Sequence, residues 1–174
     1  MDGKLRIEDT NRSGFTLVEV LVAILLTGLA FMLFLQALNT GKSVRVKAEL
    51  RTQQSLLLNS MQNQIRARRF DENLTPPWTD FNALGIEDSE MLLNQFDDID
   101  DFNNYNENSI VGYEGFGYEI AVFYTEPALA SDLSSETYSF IYSNVVTNYK
   151  SVAIAVKHLT LPDLKDTLII TPKI

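Results

Sequence analysis

The sequence predicts an α+β fold: a long N-terminal α-helix, hydrophobic in its first half and amphipathic in its second, packed on a small antiparallel β-sheet head. Three observations predict it. A proline-free apolar run occupies residues 15–38. A stretch with apolar residues at helical spacing carries on to Arg69. Short runs that alternate apolar with polar residues, punctuated by glycine, asparagine and proline, fill the last third. At 174 residues the chain allows one ordinary domain plus an extra element, not two full domains. Its segments are a hydrophilic stretch 1–14, an apolar helix 15–38, an amphipathic stem 39–69 and an acidic, β-rich head 70–174.

The apolar segment has 19 apolar residues of 24, the exceptions being Thr16, Glu19, Thr27, Gly28 and Gln36. As a helix it spans about 36 Å, more than the roughly 30 Å hydrocarbon core of a bilayer. A membrane-spanning helix is therefore favoured over a buried core helix. A secretory signal peptide would have an apolar run of about 7–15 residues with its cleavage site after it. Here the run is longer. The stretch before it is hydrophilic, with Lys4, Arg6 and Arg12 beside Asp2, Glu8 and Asp9, and the sequence most like a cleavage site precedes the apolar run. Glu19 stands out. A carboxylate in an apolar helix costs roughly 2.5–3.5 kcal/mol at the bilayer centre and less near an interface. It reads either as an acid near the helix end reaching the interface or as a partner in charge pairing during assembly. Gly28 is the weak point of this helix, costing about 1 kcal/mol relative to alanine.

In the stem, Val46, Leu50, Leu57, Met61 and Ile65 form one stripe, broadened by Leu56 and Leu58, while Gln53, Gln54, Gln62 and Gln64 are polar and helix-tolerant. No proline occurs until Pro76, so one helix is expected from about Phe15 to about Arg69. Its second half should pack its stripe against the head sheet; a coiled-coil partner is the alternative. Arg66, Arg68 and Arg69 suit the negative end of the helix dipole, with a dedicated binding patch as the competing reading.

Residues 70–110 are loop-rich, with Pro76-Pro77 and many Asn and Asp. A strand is expected where Phe116, Tyr118, Ile120, Val122 and Tyr124 alternate with Gly117, Glu119, Ala121, Phe123 and Thr125. A second covers about Tyr138–Val146, and a third alternates Val152, Ile154 and Val156 with Ser151, Ala153, Ala155 and Lys157. Pro162-Asp163 reads as a turn and Asp166–Thr171 as a last short strand. Three to five strands at hairpin-like spacing imply a mostly antiparallel sheet. Gly112, Gly115 and Gly117 read as turn or bulge positions. Trp78 reads as a cap on the core rather than a ligand-stacking residue.

Charge is segregated. Residues 40–69 hold seven basic residues and one acid, a net +6, and residues 70–174 hold four lysines and 18 acids, a net −14. The stem suits anionic lipid headgroups or acidic heads of neighbouring copies. The acidic head argues against nucleic-acid binding, which needs a basic surface. The chain has no cysteine, which excludes thiol catalysis, cysteine-ligated zinc and disulfides while leaving export open. His158 is the single histidine and ends an alternating run, so no histidine-rich metal site is expected. No nucleophilic, acid–base or phosphate-loop constellation is present, and no enzymatic activity is expected. In the acid-rich stretch 97–108, Asp97, Asp98, Asp100 and Asp101 are candidate calcium ligands. Their spacing does not match an EF-hand, and a solvated loop of Asx turns is the competing reading.

Ser13-Gly14-Phe15-Thr16-Leu17-Val18-Glu19 resembles the prepilin-type cleavage and methylation motif of type IV pilins and type II secretion pseudopilins. The resemblance implies that residues 1–14 form a class III leader, that a prepilin peptidase cuts between Gly14 and Phe15, and that Phe15 is then N-methylated. It implies that Glu19, with Thr16 beside it, serves assembly, Glu19 neutralising a terminal amine in the growing filament. The implied partners are other pilins or pseudopilins through their N-terminal helices, an inner-membrane assembly platform, and the lipid bilayer before assembly. The implied location is the bacterial inner membrane, single-pass with a periplasmic head, and then a pilus or periplasmic pseudopilus. Major pilins usually carry a proline where this chain has Gln36, which leans towards a minor pilin or a pseudopilin. The stretch Asp97–Phe102, and Asn148-Tyr149-Lys150 with the strand after it, also resemble minor pilins related to the D protein of the mannose-sensitive haemagglutinin pilus. The expected function is a structural assembly subunit, a minor pilin. A type II secretion pseudopilin is the alternative, and a non-polymerising single-pass ligand-binding protein is the alternative of another class.

Overall fold

The computed structural model describes residues 14–87, 90–128 and 139–172. The expected leader, up to Ser13, and the expected strand start at Tyr138 lie outside the described residues. One long helix, α1 (Leu17–Arg66), is followed by five strands: β1 (Asn106–Glu107), β2 (Phe116–Ala128), β3 (Ser139–Tyr142), β4 (Lys150–His158) and β5 (Leu161–Ile170). The expected α+β layout is the observed one. The chain divides into two compact units, Met1–Val46 and Lys47–Ile174, and α1 belongs to both.

In the first unit every described residue is exposed, and the richest 18-residue window of α1 has a mean hydropathy of 2.6. Two threonine hydroxyls are satisfied within the helix: Thr27 Oγ1 donates to the Ala23 carbonyl at 2.7 Å and Thr40 Oγ1 to that of Gln36 at 3.0 Å. A helix that bonds all its own backbone and bends its hydroxyls inward suits an apolar medium. It continues without a break through Gly28 and Gln36.

In the second unit α1 covers the sheet. Leu57, Leu58, Met61 and Ile65 are buried in one core with Phe116, Tyr118, Ile120, Val122 and Tyr124 of β2 and Val152, Ile154 and Val156 of β4. The alternation read in β2 is the observed one. The stripe on α1 is narrower than its sequence suggests. Leu50 is half-buried against the core, but Leu56 stays largely exposed, because 3.6 residues per turn carry it off the packed face, and Val46, in the first unit, is exposed as well. Two glutamines take places on that face. Gln54 is fully buried, its Nε2 donating to the carbonyls of Val156 (2.8 Å) and Pro162 (3.1 Å), and Gln62 donates to Asp166 Oδ2 at 2.6 Å.

The sheet is antiparallel throughout, in the order β1-β2-β4-β5, with β3 pairing the far end of β2. β2 and β4 pair from Phe116↔His158 to Tyr124↔Lys150. The last strand departs from expectation. β5 starts at Leu161, so Pro162 and Asp163 lie inside it, and the turn is the pair Leu159–Thr160. β5 is at the end of the strand order, where a proline without an N–H costs no ladder bond. The second strand is shorter than the expected Tyr138–Val146. After Tyr142 the hydroxyls of Ser143 and Thr147 capture the N–H groups of Val145 (3.3 Å) and Tyr149 (3.1 Å) and turn the chain. Gly117 is required by close approach. A Cβ there would lie 2.5 Å from the Glu107 carbonyl oxygen on β1. Trp78 does cap the core, edge-on to Phe70 at 5.1 Å, with Nε1 donating to Asn148 Oδ1 at 2.8 Å.

Candidate functional site

The residues singled out at the N-terminus sit together. Gly14, Phe15 and Thr16 form a short exposed segment outside helical structure, and α1 begins at Leu17. Thr16 is the N-cap. Its Oγ1 accepts the Glu19 N–H at 3.3 Å, and Glu19 Oε2 accepts the Thr16 N–H at 3.4 Å. This reciprocal pair is a capping box. It satisfies two of the donors that every helix start leaves open, and it places a carboxylate at the positive end of the helix dipole. The pairing explains how an acid is tolerated at this place, and it puts Glu19 one turn from the Gly14–Phe15 bond. Phe15 is 83% exposed and nothing crowds Gly14, so the peptide bond between them is open to a protease.

A shallow apolar groove runs along this face of α1 from Phe15 to Phe31, past Ala23, Thr27 and Gly28. Small residues bring the helix backbone near the surface, as close helix–helix packing requires. Glu19 lies at the end of the groove beside Phe15.

The four expected calcium ligands occupy the tight turn before and within a 3-10 turn, Asp100–Phe102. They do not converge on one point, and no group of three drawn from them brings its oxygens together. Asp98 Oδ1 accepts the Asp100 N–H at 2.8 Å, and Asp101 Oδ2 accepts those of Asp97 (2.8 Å) and Asp98 (3.0 Å). The Asp98 contact is an Asx turn, and Asp101 reaches back three and four residues. Asp97 pairs with the Arg69 guanidinium. Burial first, and then the hydrogen bond with Asp100 and its charge, pushes the Asp98 carboxyl up to about 9. Asp98 Oδ2 and Asp100 Oδ2 both lack a donor.

Asp100 has a partner that sequence reading missed. Lys150, fully buried on β4, donates to Asp100 Oδ1 (2.6 Å), Asp71 Oδ2 (2.9 Å) and the Phe70 carbonyl (2.7 Å). The Asp71 carboxylate also accepts the Thr79 N–H, at 3.0 Å. The signal was available in part: Lys150 shares the period-two face of Val152, Ile154 and Val156. Its two acids lie 79 and 50 residues away, beyond any local pattern. Two glutamates were also missed. Glu87 and Glu90 each bring a carboxylate oxygen within 4.8 Å of Asp101's. Burial, and then the neighbouring Asp101, pushes Glu90 up to about 7 and raises Glu87 as well.

An exposed Gly–Phe bond leading into a capped, apolar helix long enough to cross a membrane defines the class: a chain with a membrane-capable N-terminal helix and an accessible peptide bond just ahead of it. Residues 9–35 match the prokaryotic N-terminal methylation motif. That motif and the long apolar helix fit a type IV pilin-like subunit, of the pilin or pseudopilin kind. Processing by a prepilin peptidase and assembly with other pilins follow from the motif in general terms, and the apolar helix fits a single-pass inner-membrane anchor. No curated protein and no solved structure matches the chain.

Proposed function

We propose that the protein is a minor pilin: a non-enzymatic structural subunit that waits in the inner membrane with its head in the periplasm and enters a type IV pilus once its leader is removed. The observation that carries this is the Gly14–Phe15 bond placed directly before a capped apolar helix with Glu19 in its first turn. Cleavage frees the Phe15 amine, which methylation leaves cationic. The helix then exchanges lipid for neighbouring helices. Glu19, buried among them, costs several kcal/mol unless paired, and a neighbour's terminal ammonium is the charge that offsets it. The unbroken passage of α1 through Gln36 favours a minor subunit over the shaft subunit. The same observation supports a type II secretion pseudopilin, which the assembly machinery encoded beside it would distinguish.

Glu19→Val tests the role. Thr16 Oγ1 still caps the helix in the variant, so insertion and folding should be unchanged, while recovery in sheared filaments should fall tenfold or more. Recovery equal to wild type would remove Glu19 from assembly. A chain that keeps its first 14 residues and is indifferent to the substitution would be a non-polymerising membrane protein instead.

A further inference from the structure

Two acidic clusters flank the turn at residues 97–103, and they differ in their counter-charge. In the first, Glu72, Asp97 and Asp98 bring carboxylate oxygens within 4.8 Å of one another, and Arg69 already pairs with Asp97 and with Glu72 (3.5 Å). In the second, Glu87, Glu90 and Asp101 converge to the same limit, yet among the described residues no lysine or arginine pairs with any of the three.

Independent of the clustering, Asp101 is only 1% exposed, and its two oxygens are unequal. Oδ2 is held by the N–H groups of Asp97 and Asp98, which fixes the carboxylate and with it the second oxygen, Oδ1. That Oδ1 has no hydrogen-bond partner, nor has the buried Oε2 of Glu90. A buried acceptor without a donor costs about 1–3 kcal/mol, more when charged. Carboxylates crowded this closely also repel. A hard divalent cation removes both penalties at once.

We propose that Glu87, Glu90 and Asp101 bind a calcium ion. Calcium takes six to eight oxygens at about 2.3–2.6 Å in flexible geometry, which suits two glutamates from an irregular loop and one aspartate from a turn, with water completing the shell. Magnesium demands near-octahedral ligands and gives up water reluctantly, so it fits this set less well. The ion would tie Glu87 and Glu90 to the turn whose Asp100 grips Lys150 of β4, adding to the Asn103 Nδ2 bond to the Leu84 carbonyl at 2.9 Å.

The test is calcium chloride titrated calorimetrically into the full-length protein in detergent, after chelator treatment. One ion per chain is expected, with a dissociation constant at or below the roughly millimolar range of extracellular calcium modules. Glu90→Gln should weaken binding at least tenfold, and Glu72→Gln in the Arg69-compensated cluster should leave it unchanged. Circular dichroism of the variants guards against misfolding, and Glu87→Gln replaces Glu90→Gln if the latter does not fold. A silent titration, meaning that the carboxyls share protons instead, overturns the proposal. So does equal binding by Glu90→Gln and wild type, or loss of binding in Glu72→Gln.

Discussion

Replacing Lys150 by methionine keeps most of the side-chain volume and removes a fully buried cation. Its Nζ makes contacts of 2.6, 2.7 and 2.9 Å with Asp100, the Phe70 carbonyl and Asp71, and lies 4.7 Å from the centre of the Phe70 ring. Without it, two carboxylates remain side by side in the core. Breaking a buried pair by removing one partner costs about 3–5 kcal/mol, a large share of the roughly 5–15 kcal/mol that holds a domain folded. With an urea dependence of about 2 kcal/mol per molar, the unfolding midpoint should drop by roughly 2 M. Trp78 is the single tryptophan and stacks edge-on against Phe70, so its fluorescence in the detergent-solubilised full chain reports the transition. The loss should depend on pH. Burial pushes Asp71 upward, but the hydrogen bond and charge of Lys150, with the N–H groups of Thr79 and Asn73, outweigh it and hold its pKa below the ordinary 3.8. A depressed carboxylate stabilises the fold above that ordinary value and ceases to as pH falls below it. The gap between wild type and variant should thus be widest near neutrality and close below about pH 4. Adding Asp71→Asn and Asp100→Asn should recover at least half of the loss, since no unpaired charge then stays buried. A midpoint shift under about 0.5 M, or the same gap at about pH 3 as at pH 7, would refute the reasoning.

Two further substitutions probe the packing of the head. Met61, fully buried where α1 meets the sheet, should cost about 2–5 kcal/mol as alanine, read as a lowered urea midpoint with an unchanged slope; a loss under about 0.5 kcal/mol would mean that this face of the helix does not pack on the sheet. Gly117→Ala puts a methyl 2.5 Å from the Glu107 carbonyl and should cost about 1–3 kcal/mol, with hydrogen exchange accelerating at residues 105–110; unchanged exchange there would show that β1 does not approach β2 closely.

Features that rest on contiguous residues were legible. The processing motif from Gly14 to Glu19 is one local string; the capping box that Thr16 and Glu19 form lies in the same string but emerged only from the structure. Period two exposed β2 and β4, and period 3.6 exposed the buried face of α1 from Leu57 to Ile65. What failed depended on distant placement. Pro162 reads as a turn until β5 is known to be an edge strand. Gln54 reads only as a polar, helix-tolerant residue, because the carbonyls of Val156 and Pro162 that close over it are distant in sequence. The aspartates at 97–101 look like one ligand set because they are neighbours in sequence. Folding sends them apart, Asp97 to Arg69, Asp100 to Lys150 and Asp101 to Glu87 and Glu90.

The central claim is that this helix is an anchor exposed by a cut at its own start. Mass spectrometry of the N-terminus of the membrane-derived protein, from cells with and without a working prepilin peptidase, tests it most directly. The account predicts a chain beginning at Phe15 and carrying one added methyl group in the first, and a chain retaining the 14 preceding residues in the second. An intact, unmethylated N-terminus in both would contradict it.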